Sequence, residues 1–320
     1  MLTRTEKILH CIQPFDQLGA EIGALDRPIV TRKMGQIRYV DHDTTEALRA
    51  KYASPGHQVN LDKIVDVDYV WGEKSLVDLL APEAPFDYVI ASHVIEHVPN
   101  FIGWLNEIRA ILKSGGILSL AIPDKRRCFD YYRSLTKTAD VVDAYLRASK
   151  TPSPNQIFDC LTSAVSLHGN IAWDQVVDES ELVNCHSISE AWDAAKNAFT
   201  TGSYCDVHCW VFTPYSFFKL LSDLNRLNLL AFEVAQFYDT EGCEFLVSLR
   251  ATDTPDQTKL DALIELLADK PSMQPLTEAK ETLQKLQIVQ QQVLAMESSK
   301  FWKMRTVWFK VKQGLGLPSH

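Results

Sequence analysis

From residue 18 to about 123, short apolar runs alternate with stretches of helical periodicity, and this rhythm more than any other feature limits what the chain can fold into. It is the pattern of a parallel sheet wound with crossover helices. Strands are predicted at Leu18–Ile22, Ile37–Val40, Lys63–Val67, Phe86–Ser92 and Ile117–Ile122. Helices fit Thr44–Tyr52, Lys74–Leu80 and Ile102–Leu112, the last closed by Ser114-Gly115-Gly116, where glycine supplies a left-handed cap.

Residues 128–210 break the rhythm with polar, aromatic and His/Cys-containing segments and the turn-forming Thr151-Pro152-Ser153-Pro154-Asn155. They are expected to form an inserted cap. Thr213-Pro214 then opens a helix to about Asn225, and strands near Leu230–Phe237 and Glu244–Arg250 would complete a seven-stranded sheet. The expected division is therefore a core over 1–127, the cap over 128–210, completion of the core sheet over 211–251 and a helical tail over 252–320. In that tail Leu276, Ala279, Leu283, Leu286, Val289, Val293 and Met296 recur at three- and four-residue spacing, which suits docking or a short coiled coil. No internal repeat is visible.

Composition excludes several classes of function. With 320 residues, 46% apolar, the chain can bury a sizeable core. Its net charge of −9 argues against nucleic acid as a partner, since phosphate-backbone binding needs clustered Lys and Arg. Seven cysteines without a scaffold spacing read as reduced thiols and favour the cytoplasm. The start, MLTRTEKILHCIQPF, lacks an apolar core and cleavage site, and no stretch approaches the roughly 18 apolar residues of a membrane span.

The chemistry is expected at the carboxyl ends of the strands, where wound sheets place ligands. Leu18-Gly19-Ala20-Glu21-Ile22-Gly23-Ala24-Leu25 runs a strand into an acid and a glycine, and glycine there lets a ligand approach the backbone. Eighteen residues after Gly23, the next strand ends in Asp41-His42-Asp43, where a carboxylate can accept both hydroxyl protons of a ribose. The third signal is Phe86-Asp87-Tyr88-Val89-Ile90-Ala91-Ser92-His93-Val94-Ile95-Glu96-His97-Val98, a buried strand that releases its polar residues at its carboxyl end.

This last stretch, with Trp104-Leu105-Asn106-Glu107-Ile108 and Leu112-Lys113-Ser114-Gly115-Gly116-Ile117-Leu118, closely resembles the class I S-adenosylmethionine (SAM)-dependent methyltransferases, especially the group with an FD-hV strand, an hEHh end and an LKPGG turn. The resemblance covers roughly residues 15–125. It implies an α/β, Rossmann-like seven-stranded methyltransferase sheet carrying the cap and the tail, with SAM as cofactor. Position by position, it implies that Glu21 and Gly23 hold the methionyl part, that Asp41 takes the ribose, that Asp66 or Asp68 lies near adenine, and that Ser92 and His93 line the cofactor beside its sulfonium. Two departures stand out: Leu25 occupies the place of the family's second glycine, and only 13 residues, Pro28 among them, separate Gly23 from Ile37. The first crossover helix is expected to be shortened or replaced by a loop.

The expected function is methyl transfer to a small-molecule or glycan acceptor, in bacterial surface-polysaccharide metabolism. An acceptor oxygen needs a base, and His97, His208 and Asp124 are the candidates. Asp124-Lys125-Arg126-Arg127 suits an acidic acceptor or is a solvated face. Cys205-Asp206-Val207-His208-Cys209 with Cys185-His186 offers soft ligands but lacks paired CxxC spacing, so packing or acceptor contact is preferred and no metal is expected. The tail segment 300–312 interleaves aromatic and basic residues as interfacial helices do, and resembles tails on bacterial surface-glycan enzymes; it would attach to the inner face of the membrane or to a protein, and a homo-oligomer is compatible with it. A non-catalytic scaffold with the same fold stays open because of the altered first crossover. A nicotinamide dehydrogenase fits less well, because GxGxxG is missing.

Overall fold

The computed structural model describes residues 2–54, 59–72 and 74–268. The stripe over 276–296 and the tail segment 300–312 lie outside them. In chain order the elements are α1 (Arg4–Ile8), β1 (Leu18–Ile22), β2 (Gln36–Asp41), α2 (Thr45–Tyr52), β3 (Tyr69–Val70), α3 (Leu76–Leu80), β4 (Phe86–Ser92), α4 (Phe101–Ile111), β5 (Leu112–Pro123), α5 (Thr138–Leu146), α6 (Pro154–Ser163), β6 (Val165–Leu167), β7 (Leu182–Asn184), α7 (Ile188–Thr201), α8 (Pro214–Arg226), β8 (Phe232–Glu241), β9 (Glu244–Ala251) and α9 (Gln257–Ala268).

Seven strands form one sheet in the order β3-β2-β1-β4-β5-β9-β8. The first five run parallel, while β9 pairs antiparallel with β5 and β8 antiparallel with β9. This is the expected Rossmann-like methyltransferase sheet, closed at one edge by a hairpin. From Tyr88 on, side chains of β4 alternate between the two faces: Val89 and Ala91 join the larger core with α4 and α8, whereas Tyr88 and Ile90 join a smaller one with Ile8, Ile29 and Val30; a register shift before Tyr88 leaves Phe86 in the larger core as well. The sheet order turns back between β1 and β4, so the carboxyl ends of these two strands flank the crevice where such sheets bind ligands.

Local chemistry explains most boundaries. Thr213 caps α8, accepting from the Ser216 N–H, with Pro214 in the first turn, where its missing N–H costs nothing. Gly115 does have φ +78, but it does not cap α4 as expected: the helix ends at an extended Leu112, whose N–H returns to the Ile108 carbonyl, and Gly115 turns the chain within β5, which starts at Leu112 rather than Ile117. The strand expected at Lys63–Val67 is instead a 3-10 turn at Leu61–Lys63 followed by the two-residue β3. The reason is where its backbone bonds go: the Val65 N–H donates to the Leu25 carbonyl at 2.9 Å and the Val67 N–H to the Thr45 hydroxyl at 2.9 Å, so neither joins a ladder.

Residues 128–210 do contain a separate two-stranded sheet, β6–β7, and a small core in which Ile157 and Cys160 of α6 meet Ala195 and Ala198 of α7. However, α5 is not part of that layer. Its Val141 and Ala144 belong to the large core beneath the main sheet.

One contact tests the second face of the sheet. Gly19 lies under the Tyr88 ring, where an added Cβ would stand 2.0 Å from Tyr88 Cζ. Gly19→Ala should therefore destabilise the protein by about 1–3 kcal/mol or more through overpacking. The Tyr88 hydroxyl is buried without a partner, so Tyr88→Phe should be neutral or stabilising by about 1 kcal/mol. Urea denaturation of the two variants checks both signs.

Candidate active site

The carboxyl edge is built from loops that side chains brace from below. Between β1 and β2 there is no helix, as the short spacing suggests. Glu21, 2% exposed, holds this loop in place, its carboxylate accepting from the N–H groups of Ile29 at 2.7 Å and Val30 at 3.1 Å. Burial pushes the Glu21 carboxyl up to about 7, although those bonds and the charge of Arg4 oppose it. Gly23 turns the chain with φ +73, and a Cβ there would stand 3.0 Å from the Val94 side chain. Leu25 adopts φ +47, so it follows the backbone path that a second glycine would take more cheaply.

Asp41 ends β2 almost buried, its Oδ1 meeting the His42 N–H at 2.8 Å and His42 Nδ1 at 2.7 Å. Its Oδ2 enters none of the hydrogen bonds found among the described residues. Asp68 is already engaged within the protein: it accepts from Arg32 at 2.9 Å and from the Tyr39 N–H at 2.8 Å. The Asp66 carbonyl also accepts from Arg32, at 3.2 Å. These two aspartates thus tie the chain before β3 to Arg32.

Ser92 and His93 leave β4 inside an ionic brace that joins three distant parts of the chain. The Ser92 hydroxyl accepts from Arg4 at 2.7 Å, Arg4 pairs with Glu244 of β9, and His93 Nε2 lies 2.7 Å from the same Glu244. Burial opposes a charge on His93, but Glu244 and Glu96 outweigh it and raise its titration to about 10. His93 also has φ +53, so the chain turns sharply at this point.

Glu96 follows, wholly buried, with both carboxylate oxygens lacking a hydrogen-bond partner. His93 Nδ1 is 3.5 Å from Oε1, too long for a well-formed bond, so it supplies charge. Burial would raise the Glu96 carboxyl, yet His93, His208 and His97 together hold it below the usual range. His97 and His208 meet edge to face, ring centres 4.6 Å apart. Each has a carboxylate behind it: Asp206 Oδ1 lies 3.0 Å from His97 Nδ1, and Asp130 Oδ2 lies 2.6 Å from His208 Nδ1. Asp130 is held in turn by the buried Arg133 at 2.7 Å.

Asp124 lies at the end of β5 but faces inward. Fully buried, it accepts from the Arg126 N–H at 3.0 Å and the Thr240 hydroxyl at 2.6 Å, and it caps the 3-10 turn Lys125–Arg127. Its carboxylate braces the β8–β9 hairpin against the end of β5. Cys185 is exposed and Cys205 partly buried, and the metal-competent group among the described residues contains neither. All seven cysteines are free thiols.

The residues that unite the site without advertising themselves in sequence are Arg4, Asp130, Asp206 and Glu244. Arg4 and Glu244 lie 240 positions apart, and Asp130 and His208 lie 78 apart, so no local motif joins them.

Residues 15–173 match a family model described as a methyltransferase domain. Those residues form a methyltransferase domain. A curated relative, the ubiquinone biosynthesis O-methyltransferase of Bradyrhizobium sp. (strain ORS 278), is 30% identical over 118 residues, which is 36% of this chain and 42% of that protein. The methyltransferase chain thus spans less than half the length of that relative. Among solved structures, a SAM-dependent methyltransferase from Methanosarcina mazei is 14% identical with a TM-score of 0.39, covering 78% of this chain and 98% of that one. One from Mesorhizobium loti is 11% identical with a TM-score of 0.38, covering 77% and 97%. The described residues contain no helix long and apolar enough to cross a membrane.

The groups at this edge fit an adenosine-bearing cofactor. Gly23 keeps the end of β1 free of a side chain, and Asp41 engages His42 through Oδ1 alone. Glu21 acts from behind the loop. Between the ordinary glutamate value of 4.5 and about 7, folded methyltransferase retains a proton on Glu21 that the unfolded chain has released. Stability should then fall as pH rises through that window, by roughly 2–4 kcal/mol from this one group. Glu21→Gln titrates nowhere, so urea melts of both proteins at about pH 4.5 and 7.5 should show the wild type losing more stability than the variant. Parallel losses would show that Glu21 stays ionised.

Proposed function

We propose that this methyltransferase binds SAM across the ends of β1, β2 and β4 and passes its methyl group to an oxygen of a small-molecule or glycan acceptor beneath residues 128–210. The observation that carries the reading is the meeting of His208, from the end of that segment, with His97, from the end of β4, at 4.6 Å between ring centres. Asp206 comes from the same stretch, and its carboxyl is held down to about 2 by His97 first and then by the charges of Lys51 and His42, which follow β2. Residues 205–210 therefore lie over the edge that holds Asp41 on one side and Glu96 on the other. A methyl transfer needs its reacting atoms nearly in contact and aligned, with water kept out, and a segment closing over the cofactor edge meets both needs.

In this reading Gly23 gives the cofactor close access to the backbone and Asp41 accepts from the ribose hydroxyls. Glu21, Ser92 and His93 shape the pocket through the loops they fix, with Asp66 and Asp68 on the adenine side. His97 and His208 face the acceptor, and Asp124 positions the hairpin at the far wall. The Bradyrhizobium relative's name supports an oxygen as the methylated atom. The tail over 300–312 supports an acceptor at a membrane face, such as a surface-polysaccharide precursor, by its interleaved basic and aromatic residues.

The test is calorimetry with S-adenosylhomocysteine, the demethylated product. Asp41→Ala should weaken binding by about 1.5–3 kcal/mol, the worth of hydrogen bonds to a charged group. Unchanged affinity in a folded Asp41→Ala protein would remove the cofactor site from this edge.

A further inference from the structure

We propose that Glu96, His97 and His208 form a binding site for one divalent cation of borderline character, Zn2+ being the type. One ligand atom from each of the three lies within 4.8 Å of the others. Glu96 Oε1 and His208 Nε2 are 3.9 Å apart. Two ligands each about 2.1 Å from a shared zinc ion stand roughly 3–4 Å apart, so side-chain shifts below about 1 Å close the set.

Three further features separate this cluster from an ordinary ion pair. Glu96 is fully buried and neither of its oxygens has a hydrogen-bond partner, although a buried carboxylate is costly unless paired. His208 is oriented as a ligand: Asp130 takes its Nδ1 at 2.6 Å, which leaves Nε2 pointing towards Glu96. A carboxylate behind a metal-bound histidine fixes its tautomer and raises its basicity. His97 also has a carboxylate behind it, Asp206 at 3.0 Å from its buried Nδ1, but out of line for the hydrogen bond that His208 makes to Asp130.

The charges suit a dication. Glu96, Asp130 and Asp206 face the cluster with negative charge, and the opposing cations, His93 and Arg133, are each paired to another carboxylate, Glu244 and Asp159. One carboxylate and two imidazoles form the ligand set of catalytic rather than structural zinc, which keeps a position open. His97 is the exposed member, at 30% of its side chain, so the open position faces the cleft and takes an anionic or hydroxyl oxygen. That last role, holding the acceptor oxygen, rests on the proposed methyl-transfer reading; the cation site itself does not. It also revises the sequence expectation that the chain has no metal site.

Co2+ serves as the probe because its visible absorption reports coordination. Full-length protein, stripped with a chelator and dialysed, is titrated with Co2+ and then with Zn2+, and S-adenosylhomocysteine affinity is measured on the same samples. One equivalent of Co2+ should give the intense bands of a four- or five-coordinate site and be displaced by Zn2+. Glu96→Gln and His208→Ala should each weaken binding at least tenfold. Asp130→Asn, which keeps all three ligands, should weaken it by about 10–100-fold. A weak, octahedral spectrum in the wild type, or full-strength binding in folded Glu96→Gln and Asp130→Asn, would overturn the site. Intact S-adenosylhomocysteine binding beside a failed Co2+ titration would sink the metal alone and leave the methyltransferase reading standing.

Discussion

The main-chain carbonyl of Glu96 accepts from the N–H groups of Cys209 at 2.6 Å and Trp210 at 3.2 Å, and the geometry of the whole site depends on that junction. It ties the end of the long segment after β5 to the turn that follows β4. Trp210 completes the joint, its indole N–H donating to the Val98 carbonyl at 2.6 Å while its ring packs against Phe101 of α4. An indole so placed couples a hydrogen bond to a large buried area, which makes the register hard to slip. Cys209 and Trp210 are thus tied to the turn after β4, and His208, next to them and held by Asp130, faces His97 and Glu96.

A second set of constraints acts across the sheet. Arg4, before β1, and Glu244, at the start of β9, meet at Ser92 and His93 and so fix the β4 end from the opposite side. Glu21 does the same for the loop that replaces the first crossover helix. Arg4–Glu244 and His93–Glu244 are half-buried charged pairs, which contribute geometry more dependably than stability, whereas Glu21 works through backbone hydrogen bonds. Their effect is to fix the backbone of the carboxyl edge from both sides.

The strands that carry the site were legible because their apolar runs are long and end in polar residues: β1 and β4 begin and end where the sequence indicates. The stretch around β3 was not, because its backbone bonds go to Thr45 and Leu25, partners that periodicity cannot reveal. The same limit applies to the site. Asp41, Ser92, His93 and His97 can be picked out because they stand at strand ends, a position with chemical meaning in a wound sheet. His208 stands out by its place just before the return to the core. Glu96, Asp130 and Asp206 become meaningful only in three dimensions, where the fold brings them around two histidines. Asp124 shows the converse: a strand-end carboxylate whose surroundings, Arg126 and Thr240, turn it inward.

The central claim is that the ends of β1, β2 and β4 hold SAM. A crystal structure with S-adenosylhomocysteine tests it most directly. The account predicts ribose hydroxyls within hydrogen-bond distance of Asp41, about 2.5–3.0 Å, with the thioether sulfur lying between Gly23 and the Ser92–His97 turn and facing His208. The product bound elsewhere, or against Asp41 with its sulfur turned away from His97 and His208, would contradict it.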